Sequence, residues 1–251
     1  NGKSTNRYHI PYASQLEEIS IKKIYSPSGK LKWQKLDGVE YVTELADIWD
    51  DEAIDLVVIT APGELHYPLA LEALQHNKHV LVEKPFAEPA EEARELFHLA
   101  KEKGLFIQCY QNRRFDSDFL TIQKVIENGK LGDLLEVELH FDYYRKEVPE
   151  AYGFSVLGSF LYGHGSHPID QVLSYFGKPA DIHYDVRQLL GRKHMNDYFD
   201  LDFYYEEPLK VSIKSSYFRV KPRPSFELYG TNGVFIKETP DRQEEHLKLF
   251  Y

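Results

Sequence analysis

The sequence predicts an α/β fold in two parts, and the distribution of its apolar residues is the basis. Up to about residue 110, short apolar runs alternate with helix-period segments, which is typical of a parallel sheet with helical crossovers. After Arg113, longer strands alternate apolar and polar residues, which indicates an open, mainly antiparallel sheet. We therefore expect one domain over residues 1–115 and a second α/β domain over residues 116–251.

Five apolar runs are the strand candidates of the first part: Ile19–Tyr25, Val39–Val42, Ile54–Thr60, His79–Val82 and Leu105–Cys109. The runs at Leu56–Ile59 and Val80–Val82 are continuous, as in strands that are covered on both faces. Helices are predicted over Pro68–Gln75 and Pro89–Lys103, where apolar residues recur at helical spacing.

The second part begins with a predicted helix over Asp118–Asn128 that stops at Gly129, and a second helix is predicted over Ser166–Phe176. Along residues 135–144 we expect one dry face, formed by Leu135, Val137, Leu139, Phe141 and Tyr143. The opposite face is Glu136, Glu138, His140, Asp142 and Tyr144, and we expect Glu138 and His140 to be solvated or at a subunit interface. Further strands are predicted over Ala180–Leu190, Asp197–Tyr205, Leu209–Phe218 and Ser225–Tyr229.

Composition excludes several classes of protein. The single cysteine, Cys109, rules out an internal disulfide and a bridge-stapled secreted fold. No apolar run approaches the ~20 residues of a membrane span, and no signal peptide is recognised. With a formal net charge of −10, the chain lacks the basic balance of a general nucleic-acid binder. We expect a cytoplasmic protein that binds small molecules, not nucleic acid or membrane.

The opening Gly2-Lys3-Ser4-Thr5 has three interpretations. It matches the end of a phosphate-binding P-loop, but that loop leads directly into a helix, for which Pro11 leaves little room. If a glycine precedes Asn1, the same residues complete half of a dinucleotide loop, with Thr5 in place of the third glycine. An ordinary polar turn is the third interpretation.

The segment Lys22–Lys30 follows this loop at about the 20-residue spacing at which a dinucleotide site contacts the ribose. It has no Asp or Glu to hold a free 2′-hydroxyl, but it has lysines and hydroxyls, Ser26 among them. This composition favours NADP over NAD.

Four motifs then occur in order. Thr60-Ala61-Pro62 is followed by His66, and Glu83-Lys84-Pro85 follows the strand His79–Val82. The other two are Gln111–Asp116 and Gly165–Asp170. Together they resemble the Gfo/Idh/MocA oxidoreductases, the relatives of glucose–fructose oxidoreductase and inositol dehydrogenase. The resemblance covers nearly the whole chain and is strongest to the branch that contains NADP-dependent scyllo-inositol dehydrogenase.

The resemblance implies an N-terminal Rossmann domain, and a C-terminal α/β domain whose open sheet joins subunits into a homodimer or higher oligomer. It implies hydride transfer between NADP, or NAD, and a secondary alcohol or ketone of a sugar or cyclitol. It also implies a β-strand and a glycine before Asn1 and further structure after Tyr251.

Site residues follow from the same resemblance. Lys84 is the active-site lysine and His167 the acid/base, since an imidazole with a pKa near ~6.5 exchanges protons close to neutral pH. The alternative is that Lys84 carries the proton, which requires that burial lower its pKa. Ser166 is expected to cap the helix, and Asp170 and Gln171 to orient His167. The expected cofactor-binding residues are Gly2, Lys3, Ser4, Thr5, Ser26, Thr60, Ala61, Pro62, His66, Glu83, Lys84, Asn112 and Arg113.

One position departs from the family. Many members have an Asp four residues before the histidine, and here that residue is Gly163. Tyr162 or His164 is a candidate substitute. The expected substrate-binding residues are Tyr144, Arg145, Tyr162, His164 and Asp170. A metal site of His164, His167 and Asp170 is not favoured, and no metal is expected.

The predicted function is therefore an NAD(P)-dependent dehydrogenase acting on a CH–OH group. The departure at Gly163 motivates an alternative, a dinucleotide-binding sensor or regulator without turnover. A P-loop nucleotide hydrolase is the remote alternative.

Overall fold

The computed structural model describes residues 2–30, 33–148, 156–206 and 208–243. The chain divides into two compact units, with the division between Tyr110 and Gln111. Among the described residues, no helix is both long and apolar enough to cross a membrane.

The first unit contains the strands and helices predicted for it, most of them within narrower bounds, and two short helices that were not predicted. Its elements are α1 (Ile10–Ala13), β1 (Lys23–Tyr25), β2 (Glu40–Val42), α2 (Ala46–Trp49), β3 (Leu56–Ile59), α3 (His66–Gln75), β4 (His79–Val82), α4 (Ala90–Lys103) and β5 (Ile107–Cys109). β1 and β2 pair in parallel, and a separate parallel sheet has the order β3-β4-β5.

The ends of α4 show why these elements form where they do. Pro89 is extended and precedes the first helical residue, where its missing N–H costs nothing. Acidic Glu91 and Glu92 occupy the first turn and basic Lys101 and Lys103 the last, as the helix dipole favours. Gly104 ends the helix at φ +66°, a left-handed conformation that glycine adopts without strain.

The core of the first unit lies where α3 and α4 pack on β3, β4 and β5. Ala70, Ala73 and Leu74 of α3 are fully buried, as are Val80 and Val82 of β4. The expectation that β3 is covered on both faces is wrong. Leu56 and Val58 are 42% and 38% exposed, and only Val57 and Ile59, on the other face of β3, contribute to this core.

The second unit is built on one six-stranded sheet. Its elements are α5 (Ser117–Glu127), β6 (Leu134–His140), α6 (Ser166–Phe176), β7 (Asp181–Arg187), β8 (Tyr198–Tyr204), β9 (Lys210–Ser216), β10 (Phe226–Gly230) and β11 (Gly233–Lys237). The strand order is β11-β10-β6-β9-β8-β7, and every pairing is antiparallel except β6 with β9. The mainly antiparallel sheet is confirmed, and β11 is an addition to the prediction.

The two faces of this sheet differ in chemistry. Val137 and Leu139 lie on the core face with residues from α5 and α6, but Leu135 is 41% exposed, against expectation. The other face is polar, and we call it the polar sheet face. The expectation that His140 is solvated there is wrong, because its side chain is only 1% exposed.

Candidate active site

In the first unit, polar side chains follow three neighbouring parallel strands. Thr60 comes directly after β3, Glu83 after β4 and Tyr110 after β5. Because the strands are parallel, these residues share the carboxyl edge of the sheet, where open α/β sheets bind their ligands. We call this group the strand-end cluster.

The N-terminal residues contact the strand-end cluster. The hydroxyl oxygens of Thr5 and Thr60 lie 2.7 Å apart. His9 Nε2 donates to Glu83 Oε1 at 2.8 Å, and the rings of His9 and Tyr110 lie 4.2 Å apart. The residues that follow the Gly2 loop are therefore anchored to all three strand ends.

The expectation that Pro11 leaves little room for a helix is wrong. Residues 3–13 are helical throughout, with π-type hydrogen bonding over Thr5–His9 followed by α1. Pro11 is the second residue of α1, directly after the π-type segment, and it is buried there. A glycine loop followed directly by a helix is thus present. At Gly2 an added Cβ would meet nothing within 4 Å, so the loop is open.

His66 has a structural role between two loops, and its expected contact with the cofactor stays a prediction. It is 2% exposed, with Nδ1 2.7 Å from the carbonyl oxygen of Pro85 and Nε2 2.9 Å from that of Ala61. Both ring nitrogens therefore face backbone. His66 holds the loop after β3 against the loop after β4.

Lys84 lies in the second of those loops, and the Lys84–Pro85 peptide bond is cis. The backbone N–H of Lys84 donates to Glu83 Oε2 at 3.2 Å, while the other carboxylate oxygen of Glu83 accepts from His9. Glu83 therefore joins the N-terminal helical segment to the backbone at Lys84.

Ser26 directly follows β1 and is buried. Its hydroxyl donates to the carbonyl oxygen of Lys30 at 3.4 Å, and its carbonyl accepts the N–H of Gly29. Ser26 therefore shapes the turn, whereas Ser28 and Lys30 are exposed on it.

In the second unit, His167 occupies the first turn of α6 and is 8% exposed. The expected Ser166 cap is wrong. Ser166 is itself helical, because a π-helical turn over Leu161–Gly165 runs directly into α6, and Gly165 precedes the helix without a side-chain cap.

The side chains expected to orient His167 have other partners. Asp170 accepts two hydrogen bonds from the Arg114 guanidinium, at 2.7 and 2.6 Å. Gln171 Nε2 donates to the carbonyl oxygen of Arg113 at 2.7 Å. These bonds tie α6 to the short helix Asn112–Phe115, so Asp170 positions this segment.

Arg113 pairs with Asp116, whose carboxylate is 3.1 Å from the guanidinium and 2% exposed. Burial raises the pKa of Asp116 to about 6, against the opposing effect of Arg113. The Arg113 guanidinium is thus held within the second unit, and its expected contact with the cofactor stays a prediction, as does that of Asn112.

Two of the expected substrate-binding residues belong to one group, which we call the aromatic cluster: Tyr143, Arg145, Phe160, His164 and Tyr217. The ring of His164 lies 5.2 Å from Tyr143, 5.0 Å from Phe160 and 5.7 Å from Tyr217. The Arg145 guanidinium lies over Tyr143 and Tyr217, at 4.8 and 5.5 Å. Burial raises the pKa of Tyr217, so its phenol is a hydrogen-bond donor at neutral pH.

The other three, Tyr144, Tyr162 and Asp170, lie outside this cluster. Tyr144 is 51% exposed and forms an isolated bridge with Phe218, and the Lys146 ammonium lies over its ring at 5.6 Å. Tyr162 is partly exposed. Tyr143 was predicted to lie on the dry face of its strand, and Tyr217 was predicted only as part of a strand. Neither tyrosine was therefore predicted as a site residue.

A glycine loop leading into a helix at the carboxyl edge of a parallel sheet defines a dinucleotide-binding α/β domain, here followed by a domain with a large open sheet. The family models agree: residues 1–111 match the oxidoreductase family with the NAD-binding Rossmann fold, and residues 119–236 match the GFO/IDH/MocA C-terminal domain. The chain belongs to the GFO/IDH/MocA family of oxidoreductases.

Known proteins show the same relationship. The chain is 41% identical to the uncharacterized oxidoreductase YhhX of Escherichia coli, over 98% of this chain and 72% of that one. It is 35% identical to scyllo-inositol 2-dehydrogenase (NADP(+)) IolW of Bacillus subtilis, over 98% and 69%. A crystal structure of an oxidoreductase from Bacillus cereus superposes with a TM-score of 0.90 at 37% identity, covering 100% of this chain and 72% of that one. The resemblance read from the motifs is confirmed, and the P-loop interpretation is wrong.

Proposed function

We propose that the protein is an NADP(H)-dependent dehydrogenase that interconverts a secondary alcohol and a ketone on a cyclitol or sugar. The observation that carries the proposal is the strand-end cluster. It anchors the glycine loop and its helix, through Thr5–Thr60 and His9–Glu83, to the edge of the sheet at which the loop containing Lys84 begins.

The residues of the first unit fit a dinucleotide. Gly2 leaves open space where a side chain would otherwise stand, and Lys3 adds a positive charge at the start of a helix, where a pyrophosphate is stabilised. Thr60, Ala61 and Pro62 follow β3, and Glu83 follows β4, at the same sheet edge. When bound, a nicotinamide supplies the hydride acceptor or donor.

The proton is handled by the protein. We assign exchange of the hydroxyl proton to His167, a buried imidazole in the first turn of α6. Lys84 stabilises the developing negative charge on the alcohol oxygen. The aromatic cluster supplies the Arg145 donors and the Tyr217 phenol to bind neighbouring hydroxyls.

The preference for NADP rests on the turn after β1. Ser28 and Lys30 are exposed there, in a segment without carboxylates, so the turn suits the 2′-phosphate. Lys30→Glu is expected to lower kcat/KM with NADP⁺ at least about tenfold more than with NAD⁺. Lys35→Glu is the matched control, since Lys35 is an exposed lysine of the same unit that lies over the Tyr41 ring.

The function is tested with a panel of inositols, other polyols and the corresponding ketones, with NADP⁺ or NADPH, following absorbance of the reduced nicotinamide. Turnover of a cyclitol or sugar with NADP(H) supports the proposal. Turnover confined to alcohols of another class, or binding of ATP in preference to NADPH, contradicts it.

Gly163 favours the alternative of a sensor that binds the dinucleotide without turnover. A Cβ built at Gly163 meets nothing within 4 Å, so a side chain can begin there without a clash. A wild type that binds NADPH but turns over nothing in the panel supports the sensor, and appearance of activity in Gly163→Asp identifies the missing carboxylate as the cause.

We also propose that the second unit's sheet joins subunits into a homodimer or higher oligomer. The polar sheet face is extensive and contains exposed apolar side chains at one edge, Val234 and Ile236, at 53% and 48%. Sedimentation velocity tests this: a monomer at micromolar concentration contradicts it.

A further inference from the structure

The polar sheet face carries a compact group of metal-ligating side chains. Glu138 and His140 stand two residues apart on β6, and Glu227 stands on the neighbouring β10. One ligand atom from each lies within 4.8 Å of the other two. Among the residues that the structure describes, this is the one such group of three. It is independent of His164, His167 and Asp170.

The two carboxylates are held against each other by strand register. Glu227 of β10 is the direct cross-strand partner of Glu138 of β6, so two like charges face each other on one side of the sheet. Opposed like charges destabilise a sheet. Both side chains are largely buried, at 24% and 17% exposed, which weakens screening by water.

The imidazole of His140 lies beside both carboxylates, with its Nε2 atom next to Glu138 and its Nδ1 atom 4.0 Å from Glu227 Oε1. Its Nδ1 donates to the carbonyl oxygen of Pro224 at 2.7 Å, since a carbonyl can only accept. In the neutral imidazole the Nε2 atom therefore carries a lone pair. Nε2 is fully buried, has no hydrogen-bond partner among the described residues, and lies 3.1 Å from Glu138 Oε2. Two lone pairs at that distance require a positive charge between them.

Nearby cations are engaged elsewhere. Lys214, the register partner of His140 on β9, lies 3.9 Å from Asp200. Arg223 donates two side-chain hydrogen bonds to Asp142, both at 2.9 Å. Neither Lys214 nor Arg223 therefore neutralises the negative charge of the Glu138–Glu227 pair.

We propose that Glu138, His140 and Glu227 form a Zn²⁺ site that clips β6 to β10. One imidazole and two carboxylates are ligands that Zn²⁺ accepts, and a water completes four-coordination. Tetrahedral Zn²⁺ with ligands at about 2.0–2.1 Å holds its ligand atoms about 3.3 Å apart, close to the Nε2–Oε2 distance. The His140 bond to Pro224 and the 2.5 Å hydrogen bond from the Tyr229 hydroxyl to Glu227 Oε2 are the outer contacts that orient such ligands.

Titration calorimetry with ZnCl₂ tests the site on the full chain after removal of metal with a chelator. We expect one Zn²⁺ per chain, a rise in Tm on addition of Zn²⁺, and weak or no response to Mg²⁺, which prefers oxygen ligands. Glu138→Gln and Glu227→Gln keep the side-chain shape and should each weaken Zn²⁺ binding at least about tenfold.

His183→Gln is the control, since His183 is an exposed histidine on the same sheet face that pairs with Asp181. It should leave Zn²⁺ affinity unchanged. His140→Ala removes a buried side chain, so circular dichroism is used to check that this variant folds. If it does not fold, the two Gln variants provide the test. Absence of Zn²⁺ binding in the wild type, or equal affinity in the wild type and both Gln variants, overturns the proposal. Absence of Zn²⁺ binding would mean that a proton shared within this group supplies the positive charge.

Discussion

His9 and Glu83 form a largely buried hydrogen bond, with Nε2 2.8 Å from Oε1 and both side chains 10% exposed. The two residues are distant in sequence, one in the helical segment after the glycine loop and the other at the end of β4. The contact therefore determines where the start of the chain lies on the sheet edge, and through it where a dinucleotide is held.

Glu83→Gln is expected to weaken NADPH binding about tenfold. A hydrogen bond to a charged group contributes roughly 1.5–3 kcal/mol, and its loss releases the N-terminal helical segment from β4. The measurement is NADPH fluorescence titration. Glu95→Gln makes the same change at an exposed carboxylate that accepts from Tyr67, and it should leave the Kd unchanged. Equal effects of the two variants would contradict the role of the His9–Glu83 contact.

Lys84→Met and His167→Asn are each expected to lower kcat by about 10²–10⁴, the usual contribution of a positioned acid/base group. The Kd for NADPH should change less than about threefold. Steady-state rates with the best substrate of the polyol panel provide the measurement. Lys101→Met and His183→Asn, at exposed positions, serve as controls. If both Lys84→Met and His167→Asn retain wild-type kcat, the assignment of the two residues is wrong.

Arg145→Met tests the aromatic cluster. It keeps the length of the side chain but removes the guanidinium over Tyr143 and Tyr217. We expect KM for the alcohol to rise about tenfold, with the Kd for NADPH unchanged, as for a residue that binds only substrate. Arg187→Met removes a comparable guanidinium, 5.4 Å from the Tyr198 ring, and should leave KM unaltered. A change in cofactor affinity without a change in KM would assign Arg145 to the other ligand.

Asp116 predicts a distinctive pH dependence of stability. Burial raises its pKa from 3.8 to about 6, so between these values the folded state keeps a proton that the unfolded state has lost. The free energy of unfolding attributable to Asp116 therefore falls as the pH rises from about 4 to about 6. In Asp116→Asn this fall should be absent, which urea denaturation at a series of pH values measures.

Asp142 provides the contrast of opposite sign. Burial alone would raise its pKa, but the hydrogen bonds and charge of Arg223 outweigh burial and hold the pKa below its usual value. The stabilisation is present above the unfolded pKa and is lost as the pH falls through the folded one. Asp142→Asn should cost about 3 kcal/mol at neutral pH, and the difference from wild type should narrow in acid. Parallel pH profiles for the Asp116 and Asp142 variants would contradict both assignments.

Most of the secondary structure was predictable because it depends on local pattern. The helix Ser166–Phe176 was predicted at both ends, and the strand His79–Val82 was predicted residue for residue. Periodicity could not show that Leu56 and Val58 are exposed or that His140 is buried, since exposure depends on which elements pack against a strand. The hydrogen-bond partners of Asp170 and His66 were likewise not predictable, because those partners come from other segments.

The order of motifs in the chain was enough to identify the family and the α/β class, because each motif is a short stretch with its own chemistry. It also singled out Lys84 and His167, whose roles stay predictions. Contacts between distant segments were decided only by folding. The pairing of β6 with β10 placed Glu227 opposite Glu138 and brought His140 to both, and the helix after Gly2 brought His9 to Glu83. Such contacts join residues that no local pattern relates, so only the three-dimensional structure could reveal them.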